Sequence, residues 1–280
     1  MDTQTRQATA APPPTAPGGA KLLASGVERQ FISGKSRVHA LGPFDLRVAD
    51  GEFVCLVGPS GCGKSTFLRI VNGLLPPSAG TLDLWLDEGR AATSMVFQDY
   101  GVLPWKTVLA NVRFGLEMAK VPRREANERA MEWIRRIGLS GFEKAYPATL
   151  SGGMRQRVSI ARALAVQPQI LLMDEPFAAV DAQKRVVLQE VLLKVWEEDR
   201  RTVIFVTHSL EEALVLGDRV VVVSARPGRV VSDIAVPFGR PRSSDIRRTP
   251  EFAALQQNVW DVLRDEVQAS LAAASPAGEE

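Results

Sequence analysis

Apolar and polar positions trade places along this chain in two rhythms. "HALGPFDLRVADGEFVCLVG", from His39 to Gly58, alternates and then turns continuously apolar at Phe53–Val57. Alternation marks strands with one solvated face, and an unbroken run marks a strand covered on both faces. The segment therefore predicts short antiparallel strands followed by a buried one. "QILLMDEP" (169–176) and "TVIFVTH" (202–208) are further short apolar runs, the first ending in acids. "RVVVVSARPGRVV" adds another strand and a hairpin around Pro227-Gly228. Helical spacing appears in "KSTFLRIVNG", closed by Gly73, and in "REANERAMEWIRRIG", where Ala130, Ile134 and Ile137 share a face and Gly138 is the stop. "KRVVLQEVLLKVWEE" puts Val187, Val191 and Val195 on one face, with Leu188, Leu192 and Trp196 beside them. Strands alternating with helices predict an α/β class with a parallel sheet, preceded by antiparallel strands and interrupted by helices at about residues 100–165.

The ends read differently. Residues 1–20 are Ala/Pro/Thr-rich and predict a disordered tail without the apolar core of a secretory signal. Residues 240–280 read as a charged linker, an amphipathic helix near "FAALQQNVWDVLRDEV" and a frayed end. The main domain then spans 21–239. At the start of that linker the basic segment "GRPRSSDIRR" (239–248) reads as a solvated loop, with contact to anionic lipid as the rival reading.

Composition narrows the classes. The chain has 280 residues, 45% of them hydrophobic, and 34 basic residues balance 32 acidic ones. A net charge of +2 argues against a broad nucleic-acid surface. Two cysteines, Cys55 and Cys62, fit a reducing compartment and not a disulfide framework. No stretch approaches the roughly 18 apolar residues of a membrane span.

Chemistry concentrates in "GPSGCGKST". Gly58, Gly63, Lys64 and Ser65 match the phosphate-loop pattern. Its glycines let backbone N–H groups wrap phosphates, Lys64 supplies a point charge, and the Ser65 hydroxyl can bind Mg²⁺. The acids ending "LLMDEP" complement it. Asp174 can hold Mg²⁺ through water, and Glu175 can polarise an attacking water or merely charge a helix start. His208, ending a strand, can donate to a γ-phosphate or lie on the surface. Phe31 can stack on an adenine, although position alone favours an ordinary core residue. Cys62 precedes a helix N-terminus whose dipole favours a thiolate, so it is expected to alkylate before Cys55. A second phosphate-facing start, Ser151-Gly152-Gly153, opens "GGMRQRVSIARAL"; by itself it fits a plain N-cap with a flexible Gly pair better.

Together these residues resemble the ATPase subunit of an ABC transporter over residues 21 to about 235. Phe31 falls at that family's adenine-stacking position. Gly58, Pro59, Ser60, Gly61, Cys62, Gly63, Lys64, Ser65 and Thr66 form its Walker A loop, and Gln98 falls at its Q-loop. "LSGGMRQRVSIARAL" is its signature, Glu175 its catalytic carboxylate, Asp181 its D-loop and His208 its switch histidine. The resemblance implies a P-loop NTPase core with an N-terminal antiparallel β subdomain and an inserted helical subdomain. It implies ATP with Mg²⁺ at Ser65, Gln98 and Asp174, and catalysis by Glu175, His208 and Gln98. It also implies a head-to-tail homodimer in which Ser151, Gly152 and Gly153 cap the partner's nucleotide.

"FQDYGVLPWKTVLANV" and "THSLEEAL" look like the ATPases of nitrate, sulfonate and taurine importers. That resemblance implies two membrane permease subunits, an indirectly coupled periplasmic or extracellular solute-binding protein, and a peripheral position on the cytoplasmic face of a bacterial membrane. Pro104-Trp105 is then a docking patch, with buried core as the alternative. The chain departs from the pattern at Ala178-Ala179-Val180-Asp181, at Ser209 after the histidine, and at Phe31 in place of Tyr. A soluble ABC ATPase acting on nucleic acid or ribosomes is the alternative. Two cassettes or long coiled coils would mark it, and this chain shows neither. A kinase-like phosphotransferase would not need Ser151-Gly152-Gly153.

Overall fold

The computed structural model describes residues 17–274 except 35 and 179. Strands β1 (Ala20–Ser33) and β2 (Ser36–Ala49) form a long antiparallel ribbon, 14 residues each, where short strands were expected. β3 (Phe53–Val57) leads through a loop into α1 (Lys64–Val71). β4 (Ala79–Leu84) pairs with β1, and β5 (Thr93–Val96) begins the second sheet. Helices α2 (Val108–Met118), α3 (Arg123–Arg136) and α4 (Gly152–Ala165) occupy the expected helical insertion. β6 (Ile170–Asp174), α5 (Ala182–Asp199), β7 (Thr202–Val206), α6 (Leu210–Leu216), β8 (Arg219–Val223), β9 (Val230–Ala235) and α7 (Pro250–Ala274) follow.

Among the described residues the strands form two sheets, ordered β2-β1-β4 and β5-β6-β7-β3-β8-β9. In the larger sheet β5 to β8 run parallel, and β9 returns antiparallel from the hairpin expected at Pro227-Gly228. The unbroken apolar runs have a simple cause. Phe53, Cys55 and Val57 join the core under the helices, while Val54 and Leu56 join the core under α1 and the antiparallel sheet. β6, β7 and β8 divide their side chains between the same two cores. Both faces are covered, so alternation disappears. Among the described residues, side chains cap five of the α-helices: Thr107, Ser151, Asp181, Ser209 and Thr249 accept from backbone N–H groups three residues on.

Three boundaries or faces differ from expectation. Residues 1–16 and 275–280, expected as tail and frayed end, lie outside the described residues, but Pro17–Gly19 form a tight turn with both glycines at positive φ, and Ala20 is buried in β1. On α5 the buried apolar positions are Leu188, Leu192, Leu193, Val195 and Trp196, while Val187 is 58% exposed. That helix is apolar on more than one side, and Val187 and Val191 face Ser151, Gly153 and Met154 instead of the core.

The basic segment after β9 is the third difference. It is not a solvated loop along its length. The Arg242 guanidinium is buried and donates to the Leu214, Val215 and Gly217 carbonyls at 2.5–3.3 Å, closing the C-terminus of α6. Arg240 donates to Asp218 and to the Leu216 carbonyl and lies over the Trp196 ring. Burial pushes Arg242 down to about 10, so it stays charged at neutral pH. Arg242→Ala leaves these carbonyls without their donor. We expect a loss of about 3 kcal/mol, from charged hydrogen bonds at a buried site. Thermal unfolding should show Tm lower by roughly 6–12 °C; an unchanged Tm would deny this segment a structural role.

Candidate active site

The carboxyl ends of the parallel strands gather their loops at one edge of the sheet, the usual position for a ligand crevice. A cavity of about 410 Å³ opens there, lined by Phe31, Val38, Ala40, Ser60 to Thr66, Gln98, Glu175, His208 and Arg226. The structure thus brings together residues that lie far apart in sequence.

The loop after β3 is built by close contact. Gly63 sits at φ 107°, and a Cβ there would lie 2.5 Å from the Ala40 carbonyl, so only glycine lets β2 press against the loop. Lys64 bridges the loop internally: its Nζ donates to the Gly58 and Pro59 carbonyls, both at 2.8 Å. That holds an ammonium beside a ring of backbone N–H groups, an arrangement suited to phosphate.

The acids meet this loop from β6. The Ser65 hydroxyl donates to Asp174 Oδ1 at 2.8 Å. Burial raises the Asp174 carboxyl above its ordinary range, and the Ser65 bond opposes the shift. Glu175 has φ 47°, an uncommon angle for a residue with a side chain, and its N–H is tied to the Val206 carbonyl at 3.0 Å. Its carboxylate accepts from Gln98 Nε2 at 3.2 Å and lies 2.5 Å from His208 Nε2. Phe31 stands at the rim, 37% exposed, with the Arg29 guanidinium 4.9 Å over its ring. It is therefore no core residue.

Behind His208, Thr207 donates to Glu212 at 2.5 Å and accepts from Ser209 N–H. Glu212 is buried, and burial raises its carboxyl. It also receives Gln189 Nε2 and faces Arg185, whose Nη2 reaches the Val180 carbonyl. Nothing in the local pattern marks this support, since Glu212 stands beside Glu211 in the first turn of α6. Arg226 is unmarked too. The β8–β9 turn lies beside the phosphate loop only because β8 neighbours β3 in the sheet, and strand order is not visible in a local pattern.

The expected Ser151-Gly152-Gly153 and Asp181 lie outside this cavity. Ser151 and Gly153 line a separate surface cavity with Met154, Arg157, Lys184, Val187, Leu188 and Val191. Ser151 Oγ accepts from Met154 N–H at 3.3 Å, an N-cap within its own chain. Asp181 caps α5 and pairs with Lys184, whose hydrogen bond holds its carboxyl below the ordinary range; Ala179 of the same loop lies outside the described residues. Trp105 is 70% exposed, so the core reading of that patch fails.

The expectation for Cys62 needs correction. Its side chain is 1% exposed and packs inward beneath the loop, with Sγ 3.5 Å from Lys64 Nζ. A helix dipole makes a thiol reactive only where a reagent can reach it. Cys55 is fully buried, which pushes its thiol up. Native-state alkylation is expected to be slow at both cysteines and fast only after unfolding. A rapid hit on Cys62 in folded protein, mapped by mass spectrometry, would contradict the inward thiol.

Comparison with known proteins agrees with this architecture. Residues 41–178 match the ABC transporter family model. An uncharacterized ABC transporter ATP-binding protein of Methanocaldococcus jannaschii is 48% identical over 254 residues, covering 90% of this chain and 94% of that protein. The taurine import ATP-binding protein TauB of Rhizobium johnstonii is 46% identical, covering 81% of this chain and 89% of its own length. A solved ATP-binding cassette, dimeric and bound to ADP and Pi, is similar with TM-score 0.69 and 32% identity, over 78% of this chain and all of that one. This chain belongs to the ABC transporter family as an ATP-binding subunit, and it is an ATPase.

Proposed function

We propose that the chain energises import of a small anion or zwitterion, such as taurine, another aliphatic sulfonate or nitrate, through two membrane permease subunits. The observation that carries the proposal is the assembled cavity of Lys64, Ser65, Gln98, Glu175 and His208, set in a chain 46% identical to a taurine import ATP-binding protein. Residues 21–239 act as the nucleotide-binding domain, with 100–165 as its helical subdomain. Phe31 stacks on the adenine, and the loop from Gly58 to Thr66 wraps the phosphates. Glu175 orients the attacking water, Gln98 holds Glu175 in place, and His208 donates to the γ-phosphate.

Mg²⁺ fits the donors present. Ser65, Gln98 and Asp174 offer oxygen ligands of the kind a hard cation takes, and the Ser65 hydroxyl already meets Asp174 Oδ1 at 2.8 Å. Bound there, the cation would neutralise phosphate charge. Two copies work head to tail, with Ser151, Gly152 and Gly153 of one meeting the nucleotide of the other, and Asp181 near the crossing point. Trp105 docks a permease segment, since exposed aromatics anchor interfaces. No described helix is long and apolar enough to cross a membrane. The chain works as a peripheral subunit on the cytoplasmic face, and the solute-binding protein acts on it only through the permease. Deleting the gene should abolish uptake of the solute and leave other transport intact. Unchanged uptake of taurine, sulfonates and nitrate would remove the importer assignment.

A further inference from the structure

We infer that Arg226, on the β8–β9 turn, is a further nucleotide-binding residue whose guanidinium contacts the polyphosphate of ATP. The cavity already described supplies the setting, so the inference rests on ATP entering there.

Arg226 lines that cavity beside Ser60 and Gly61. Its Nε and Nη2 both donate to one acceptor, the Gly61 carbonyl, at 3.1 and 3.0 Å. Two donors on one neutral oxygen leave the guanidinium charge unbalanced and its remaining N–H groups free. Among the described residues it has no ion-pair partner. Lys64 and Arg226 are the Lys and Arg side chains among those lining the cavity, and Lys64 is turned onto the Gly58 and Pro59 carbonyls. An incoming polyphosphate would therefore meet an exposed, uncompensated guanidinium at the loop. Arg suits that role because its planar fork binds phosphate oxygens in pairs.

The turn is built to place it. Gly228 N–H donates to the Ala40 carbonyl, and Gly42 N–H donates to the Gly228 carbonyl at 2.8 Å. A Cβ on Gly228 would lie 2.0 Å from the Cys62 carbonyl, so the turn lies directly against the phosphate loop. Ser224 Oγ accepts from Arg229 N–H at 2.9 Å, and Glu266 of α7 accepts from Ala225 N–H at 2.8 Å. The residues on either side of Arg226 are thus pinned, and its side chain is exposed. The bond to Gly61 is a resting position from which a phosphate can draw the guanidinium.

A loop clamp and a phosphate ligand predict different results for Arg226→Gln. Gln keeps an N–H donor for Gly61 and loses the charge. ATP affinity of the purified full chain, measured by isothermal titration, should fall about tenfold in Arg226→Gln and in Arg226→Ala, as expected for one charge-assisted hydrogen bond. Arg226→Lys should recover part of the loss. In steady-state assays KM for ATP should rise while kcat stays within about twofold, the mark of lost uniform binding. Lys64→Ala is the control for the site itself. Wild-type affinity in Arg226→Gln, with Lys64→Ala defective, overturns the inference and leaves the site standing. Wild-type affinity in both overturns both.

Discussion

Glu175→Gln is expected to bind ATP with near-normal affinity and to hydrolyse it at least about a hundredfold more slowly, the lower range for losing a positioned general base. Glu175 is held at three points: its backbone N–H by the Val206 carbonyl, and its carboxylate oxygens by Gln98 and His208. Gln fills the same volume in the same strained backbone position, so the binding surface survives. What disappears is the negative charge that orients and polarises water. Binding and turnover should therefore separate. ATP would persist in the closed state, and the variant should elute from size exclusion as an ATP-bound dimer while the wild type does not. Phosphate release and elution volume check both halves. Wild-type turnover would move the catalytic role to another residue.

The parts legible in the sequence were those in which chemistry and local structure share one short stretch. "GPSGCGKST" carries its glycines and its lysine in one short stretch that runs straight into α1, and β3 announces itself as an unbroken apolar run. "ILLMDEP" is similar, because a strand end in an open parallel sheet is already a site. What stayed hidden depends on contacts between distant segments. Arg226 reaches Gly61 across 165 positions, and Arg242 reaches the end of α6 through a segment that reads as a plain charged linker. Cys62 shows the converse failure. Its position at a helix start was read correctly, but whether a loop turns its thiol inward or outward depends on what packs beneath it. On α5 the apolar residues are too many to define one face, and only packing decides that Leu192 is buried and Val187 is not.

Ser151 poses the remaining question, since the fold places it in a cavity that shares no residue with the phosphate loop's cavity. Within one chain its hydroxyl merely caps α4, yet Ser151 is exposed and the helix start carries unpaired N–H groups suited to an anion. If a second copy supplies the anion, mixed dimers will reveal it. Lys64→Ala in one copy and Ser151→Arg in the other make two homodimers expected to be dead, one without loop lysines and one with an Arg pushed into both signature contacts. In the mixed dimer the trans arrangement puts both defects at one site. The other site then joins an intact loop to an intact Ser151-Gly152-Gly153, and it should occlude ATP. A cis arrangement gives every site one defect and no recovery. The measurement is ATP occlusion in differently tagged heterodimers purified with the membrane subunits. About one ATP per dimer is expected, half the two phosphate-loop sites of a head-to-tail pair. Occlusion no better than either homodimer would falsify the pairing of one copy's signature with the other's nucleotide.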